Sequence, residues 1–100
     1  MAGYVIANVV WKDSESLALY KRLMPPTVAK FGGRFLVRGG ATEVLEGEWS
    51  PALLVIEFPT VEQARRWYTS EEYRPALEIR QRAAENELLI VEGTVQPAAG

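Results

Sequence analysis

Residues 32–40 read Gly32-Gly33-Arg34-Phe35-Leu36-Val37-Arg38-Gly39-Gly40, a five-residue strand held between two glycine pairs. The first pair ends a helix, because glycine readily takes the left-handed conformation in which helices close. Arg34–Arg38 then alternates as a strand, with Phe35 and Val37 on one face and Arg34, Leu36 and Arg38 on the other. The second pair implies a bulge or bend before the strand resumes through Thr42–Leu45.

Upstream, Tyr4–Trp11 is β-branched and aromatic and reads as a first strand. Asp13 or Ser14 follows as an N-cap, with Glu15 in the first helical turn. Leu17, Tyr20, Met24, Val28 and Phe31 recur every three or four residues as one helical stripe. Pro25 and Pro26 fall inside it and predict a kink or break. Downstream, Glu46–Pro51 is a loop and Ala52–Phe58 a third strand, joined to the second as a hairpin. Thr60-Val61-Glu62-Gln63 is a capping box that opens a second helix, whose stripe is Val61, Ala64 and Tyr68 with Trp67 beside it. Ser70, ahead of Glu71 and Glu72, reads as the cap of a restarted helix that carries Tyr73, Leu77, Arg80 and Ala84 on one face. Leu88–Glu92 is the last strand. The order βαββαβ is that of a ferredoxin-like α+β domain over residues 1–95, a four-stranded antiparallel sheet with its helices on one face. Residues 96–100 read as a flexible tail.

The glycine-bracketed strand, with Glu46-Gly47-Glu48-Trp49-Ser50-Pro51, Ile56-Glu57-Phe58-Pro59, and then Trp67, Ser70, Tyr73 and Arg80, resembles the signature of the domain of unknown function 1330 family. That family sits within the dimeric α/β-barrel, ferredoxin-like superfamily. The resemblance spans Tyr4 to Gly93. It implies the fold already read from periodicity, with two sheets packed face to face and helices outside. It implies no activity, because the family has none assigned.

The 100 residues carry 11 basic and 13 acidic side chains, a formal charge of −2. Arg65, Arg66, Arg74, Arg80 and Arg82 are interleaved with Glu62, Glu71, Glu72, Glu78 and Glu85, not gathered on one basic face, which argues against nucleic acid as a partner. The apolar run at the N-terminus is too short to span a membrane and has no basic residues before it, so a cytoplasmic protein is expected. With no His and no Cys there is no Ser-His-Asp triad, thiol nucleophile, thiolate zinc site or imidazole ligand to haem. No metal and no cofactor are expected.

The strands YVIANVVW, ALLVIEF and LLIV are apolar at both parities. A four-stranded sheet with helices on one face would then expose several large side chains on the other. Pairing with a second copy through that face is the expected remedy.

The candidate pocket residues are Asn8, Arg38, Glu57, Trp67, Tyr73 and Arg80. Arg80 falls on the same helical face as Tyr73 and needs a partner there, since an unpaired buried guanidinium is costly. Glu57, interrupting the third strand, is the expected partner, with Glu46 behind it. The other reading of Arg80 is a pocket that grips a small anion. Arg34 and Arg38 present planar forks suited to carboxylates, or else Arg38 pairs with a glutamate across the hairpin. Asn8 with Trp67 resembles the pair that lines a pocket in the haem-degrading and cofactor-free monooxygenase branch of the superfamily. That branch's haem ligand is a His, which this chain lacks, and core packing is the plainer reading of both residues. Trp49, Tyr68, Tyr73 and Trp67 read as core or interface anchors, or as an aromatic wall. Glu46 and Glu57 could act as bases only if desolvated, and their pattern names no reaction. The leading reading is a small homodimer that binds or transforms an anionic or aromatic organic molecule without a cofactor. The alternative is a non-catalytic dimeric structural or interaction module with no ligand.

Overall fold

The computed structural model describes residues 1–95. The expected C-terminal tail lies outside the described residues. The elements are β1 (Gly3–Trp11), α1 (Ser14–Lys30), β2 (Arg34–Arg38), β3 (Leu53–Phe58), α2 (Val61–Tyr68), α3 (Arg74–Ala83) and β4 (Ala84–Glu92). All strand pairs are antiparallel, in the order β2-β3-β1-β4, which is the ferredoxin-like arrangement.

Alternation along β1 decides which side the helices cover. Val5, Ala7 and Val9 are buried beneath the helices, as are their neighbours Ile56 and Phe58 on β3. Trp67 and Tyr73 close this core with no exposed surface, their ring centroids 4.1 Å apart. The alternate residues point the other way. Val10, Val37, Leu89 and Val91 are exposed on that second face, with Ile6, Leu53 and Val55 beside them only half-buried.

Asp13 caps α1 by accepting from the Glu15 backbone N–H, and Thr60 caps α2 by accepting from that of Gln63 at 3.0 Å. Gly32 closes α1 with φ +79°, a conformation only glycine takes without strain.

Four local expectations are corrected. First, the break expected at Pro25 and Pro26 does not occur, and α1 is helical through both. Prolines there free the carbonyls four residues earlier, on Lys21 and Arg22. Both residues are exposed, so water can satisfy those carbonyls, while Met24, Thr27 and Val28 are buried and hold the following turn. Second, the bulge falls inside β2 and not at Gly39-Gly40. Phe35 pairs with Ile56 and Val37 with Val55, leaving Leu36 as the extra residue. No strand resumes at Thr42–Leu45, and residues 39–52 form an irregular connection. Third, the second helix restarts at Arg74, behind Pro75, and not at Ser70. Ser70 caps the intervening turn, its hydroxyl accepting from the Tyr73 N–H at 3.1 Å and donating to the Trp67 carbonyl at 2.8 Å. Fourth, β4 begins at Ala84, directly on the end of α3, four residues before the expected start.

The start of α2 is pressed against β1. A Cβ on Gly3 would lie 2.5 Å from Val61 Cα and 2.6 Å from its nitrogen, a backbone clash that no rotamer change relieves. Gly3→Ala is expected to destabilise the fold by about 1–3 kcal/mol in urea denaturation, as overpacking does. Gly40→Ala, with no atom within 4 Å of the new methyl group, should leave stability nearly unchanged.

Candidate functional site

A cavity of about 450 Å³ lies between the helices and the covered face of the sheet. Its walls are mostly apolar, including Val9 and Trp11 of β1, Leu17 and Met24 of α1, Leu54 of β3 and Leu88 of β4. Trp67 contributes from α2, fixed by donating its indole N–H to Thr27 Oγ1 at 3.0 Å. The polar groups that line it are Tyr20, Lys21, Arg38 and Arg80. Among the described residues, no carboxylate lines this cavity.

Arg80 is the one buried charge among the described residues, 3% exposed. It sits on α3 between the buried residues Ile79 and Ala83, so the register of the helix carries it inward. Its Nη1 donates to Asn86 Oδ1 at 3.0 Å. Asn86 is itself fixed, its amide donating to the carbonyls of Arg80 at 3.1 Å and Ala84 at 2.9 Å. The direct passage from α3 into β4 makes this possible by folding Asn86 back over the end of the helix. Arg80 Nε is buried and has no acceptor among the described residues. A buried donor left unmade costs the full desolvation of that group, and more when the group is charged.

Arg38 reaches the same cavity because of the bulge at Leu36. Without it, Arg34 and Arg38 would share a face. With it, Arg34 pairs with Glu57 on the outer face, and Arg38 pairs with Leu54 on the helix face. The Arg38 guanidinium lies 4.5 Å from the Phe35 ring centroid, a cation–π contact at the exposed rim.

Tyr20 and Tyr73 share a buried hydrogen bond of 2.7 Å between their hydroxyls. Burial, and then the neighbouring Tyr73, push the Tyr20 phenol well above its ordinary pKa, while Arg80 and Arg38 pull weakly the other way. Tyr20 is therefore a neutral hydroxyl near neutral pH. Tyr73 is fully buried, whereas Tyr20 lines the cavity. Either hydroxyl can donate in this pair.

The sequence matches the family model described as "Domain of unknown function (DUF1330)" over residues 2–94. The chain belongs to that family. No curated protein matches it. Among solved structures, this DUF1330 chain is similar to a protein of unknown function from Rhodopseudomonas palustris, at 21% identity and TM-score 0.74, covering 96% of this chain and 84% of that one. It is also similar to a dimeric protein of unknown function with a ferredoxin-like fold from Bacteroides fragilis, at 17% identity and TM-score 0.60, covering 92% and 96%. An antibiotic biosynthesis monooxygenase matches at 11% identity and TM-score 0.59, covering 95% and 100%. At these identities the likenesses concern the fold alone.

Of the residues singled out from the sequence, the fold brings Arg38, Trp67 and Arg80 to the cavity. Tyr73 stands behind it, reached through Tyr20. Asn8 and Glu57 are on the other face of the sheet. Asn8 pins the irregular connection, donating to the Ser50 carbonyl at 2.9 Å and accepting from its N–H at 3.2 Å. Glu57 accepts from Arg34 Nε at 2.6 Å and from the Tyr4 hydroxyl at 3.1 Å. These two bonds, Arg34's first, hold its carboxyl below the usual glutamate range. The expected Arg80–Glu57 ion pair is thus corrected: strand parity separates the two across the sheet. Tyr20, Lys21 and Asn86 were missed as site residues. Tyr20 looked like one more member of an apolar stripe, and Asn86 lay between the expected helix and the expected last strand. Among the described residues, no group of His, Cys, Asp and Glu could hold a metal ion, and no helix is long and apolar enough to cross a membrane.

Without a buried carboxylate partner, Arg80→Met should leave stability within about 1 kcal/mol of the parent, since removing the charge also removes its desolvation cost. Asn86→Ala, which leaves Arg80 with a second unmade donor, should cost about 1–3 kcal/mol. Arg82→Ala, on the exposed side of α3, should change stability by about 0.5 kcal/mol or less. Urea denaturation of the three variants separates these outcomes.

Proposed function

We propose that this protein is a homodimer, paired through its open sheet face, that holds a small organic anion between its helices and its sheet. The observation that carries the ligand reading is Arg80: a buried guanidinium with an unsatisfied Nε, lining a mostly apolar cavity of about 450 Å³. That volume is in the range of small-molecule sites, and a few convergent polar groups on apolar walls are what such sites use. A purely structural arginine would be expected to have a carboxylate within reach, and this one has an amide. The cavity therefore favours a ligand-binding protein over a module with a solid interior.

The dimer reading is supported by the second sheet face. Val10, Val37, Leu89 and Val91 are exposed there together, and the similar Bacteroides fragilis protein is described as dimeric. Contiguous apolar area of this kind marks an interface more often than a bare surface. No reaction is proposed. Of the two acids considered as bases, Glu57 lies on the opposite face from the cavity and Glu46 does not line it.

Light scattering at micromolar concentration should give twice the chain mass, and Val55→Arg, which places a charge in the middle of the open face, should give a monomer or an unstable chain. A monomer mass for the parent protein refutes the dimer. Thermal-shift screening against small organic acids should find compounds that raise the melting temperature, because a ligand of the native state at a hundred times its Kd adds about 2.7 kcal/mol. A screen in which only neutral compounds raise it refutes the anion.

A further inference from the structure

The free edge of Arg80 also specifies the class of anion, an inference that rests on the ligand-binding reading above. With Nη1 engaged by Asn86, the side of the guanidinium left to a ligand is the one formed by Nε and Nη2. These two N–H groups point in parallel, at the spacing of the two oxygens of a carboxylate, and bind it in a bidentate pair. We infer that the cavity takes a monocarboxylate with an apolar, ring-sized body, its carboxylate seated on the Nε–Nη2 edge of Arg80.

Charge balance selects one negative charge. Among the described residues, Arg80 is the only buried cation that lines the cavity, while Lys21 and Arg38 line it as exposed residues. One inner positive charge neutralises one carboxylate. A phosphate or phosphonate dianion would bring a second charge into walls of Val9, Leu54 and Leu88, where burial of an unpaired charge is strongly unfavourable. The body of the ligand is set by the same walls. Trp11, Tyr20 and Trp67 line the cavity, and Trp11 and Tyr20 pack with ring centroids 5.1 Å apart and planes tilted by 49°. Aromatic surfaces in offset or edge-on contact favour a flat ring as the guest.

The site contains two tryptophans, so binding is read directly from intrinsic fluorescence on the intact protein. The probes are benzoate, phenylacetate and 2-oxo-2-phenylacetate as ring carboxylates, with benzamide as the neutral isostere and phenylphosphonate as the dianion. The ring carboxylates are expected to bind with one site per chain. Benzamide should bind at least about tenfold more weakly, as the loss of a bidentate charged pair implies, and so should phenylphosphonate, whose second charge would face apolar walls. Arg80→Lys, which keeps the charge and loses the planar edge, should weaken benzoate by about tenfold or more. Phenylphosphonate binding more tightly than every carboxylate would overturn the monocarboxylate while leaving an anion site in place. Equal affinity for benzoate and benzamide, or an Arg80→Lys variant that binds benzoate as the parent does, would overturn the role of the Arg80 edge. A failure of every anion, phenylphosphonate included, to bind the folded parent protein would overturn the ligand-binding reading itself.

Discussion

A guanidinium taken out of water needs acceptors, and this fold supplies Arg80 with one. Much of the architecture around the cavity serves to place that group. The register of α3 turns it inward, with Tyr73, Ala76, Ile79 and Ala83 as the buried neighbours on the same helix. The uninterrupted step from Ala83 to Ala84 returns the chain as β4, close enough for Asn86 to bond both the side chain and the carbonyl of Arg80. Asn86 therefore orients the guanidinium without neutralising it. A carboxylate in its place would form a closed ion pair and leave little for a ligand to gain.

The bulge in β2 has a comparable effect from the other side of the cavity. Inserting Leu36 exchanges the faces of everything after it, so that Arg34 goes to the outer surface and Arg38 to the helix side. Glu57, which could have competed for Arg80, is held on the outer surface by Arg34 and Tyr4. The two faces of the sheet are thus chemically sorted. One pairs Glu57 with its own arginine, and on the other the cavity is lined by two arginines and, among the described residues, by no acid.

Much of this was readable from periodicity, and the failures have physical causes. Strands β1, β2 and β3, the capping box at Thr60 and the inward face of Arg80 all announce themselves within a few residues, through alternation, turn residues or a helical stripe. The bulge does not, because Phe35-Leu36-Val37 is apolar throughout and reads equally well in either register. The start of β4 does not, because Ala84-Glu85-Asn86-Glu87 has helix-like composition, and only pairing with Trp11, Val10, Val9 and Asn8 makes it a strand. The partner of Arg80 was missed for a related reason. A helical stripe tells which way a side chain points, but which carboxylate lies on the same side depends on strand parity, which the bulge and the pairing decide. The double proline in α1 misled in the opposite direction, since a local rule gave way to the burial of Met24, Thr27 and Val28 beyond it.

The most direct measurement is the NMR signal of the Arg80 Nε–Hε pair in 15N-labelled protein, assigned by its loss in Arg80→Met. In the ligand-free protein it should be protected from exchange by burial and lack the downfield shift of a strong hydrogen bond. Titration with benzoate should move it downfield to saturation, and benzamide should not. An Hε that is already strongly hydrogen-bonded in the free protein, or one that stays unmoved while benzoate saturates the protein, would contradict the assignment of Arg80 as the anchor of the ligand.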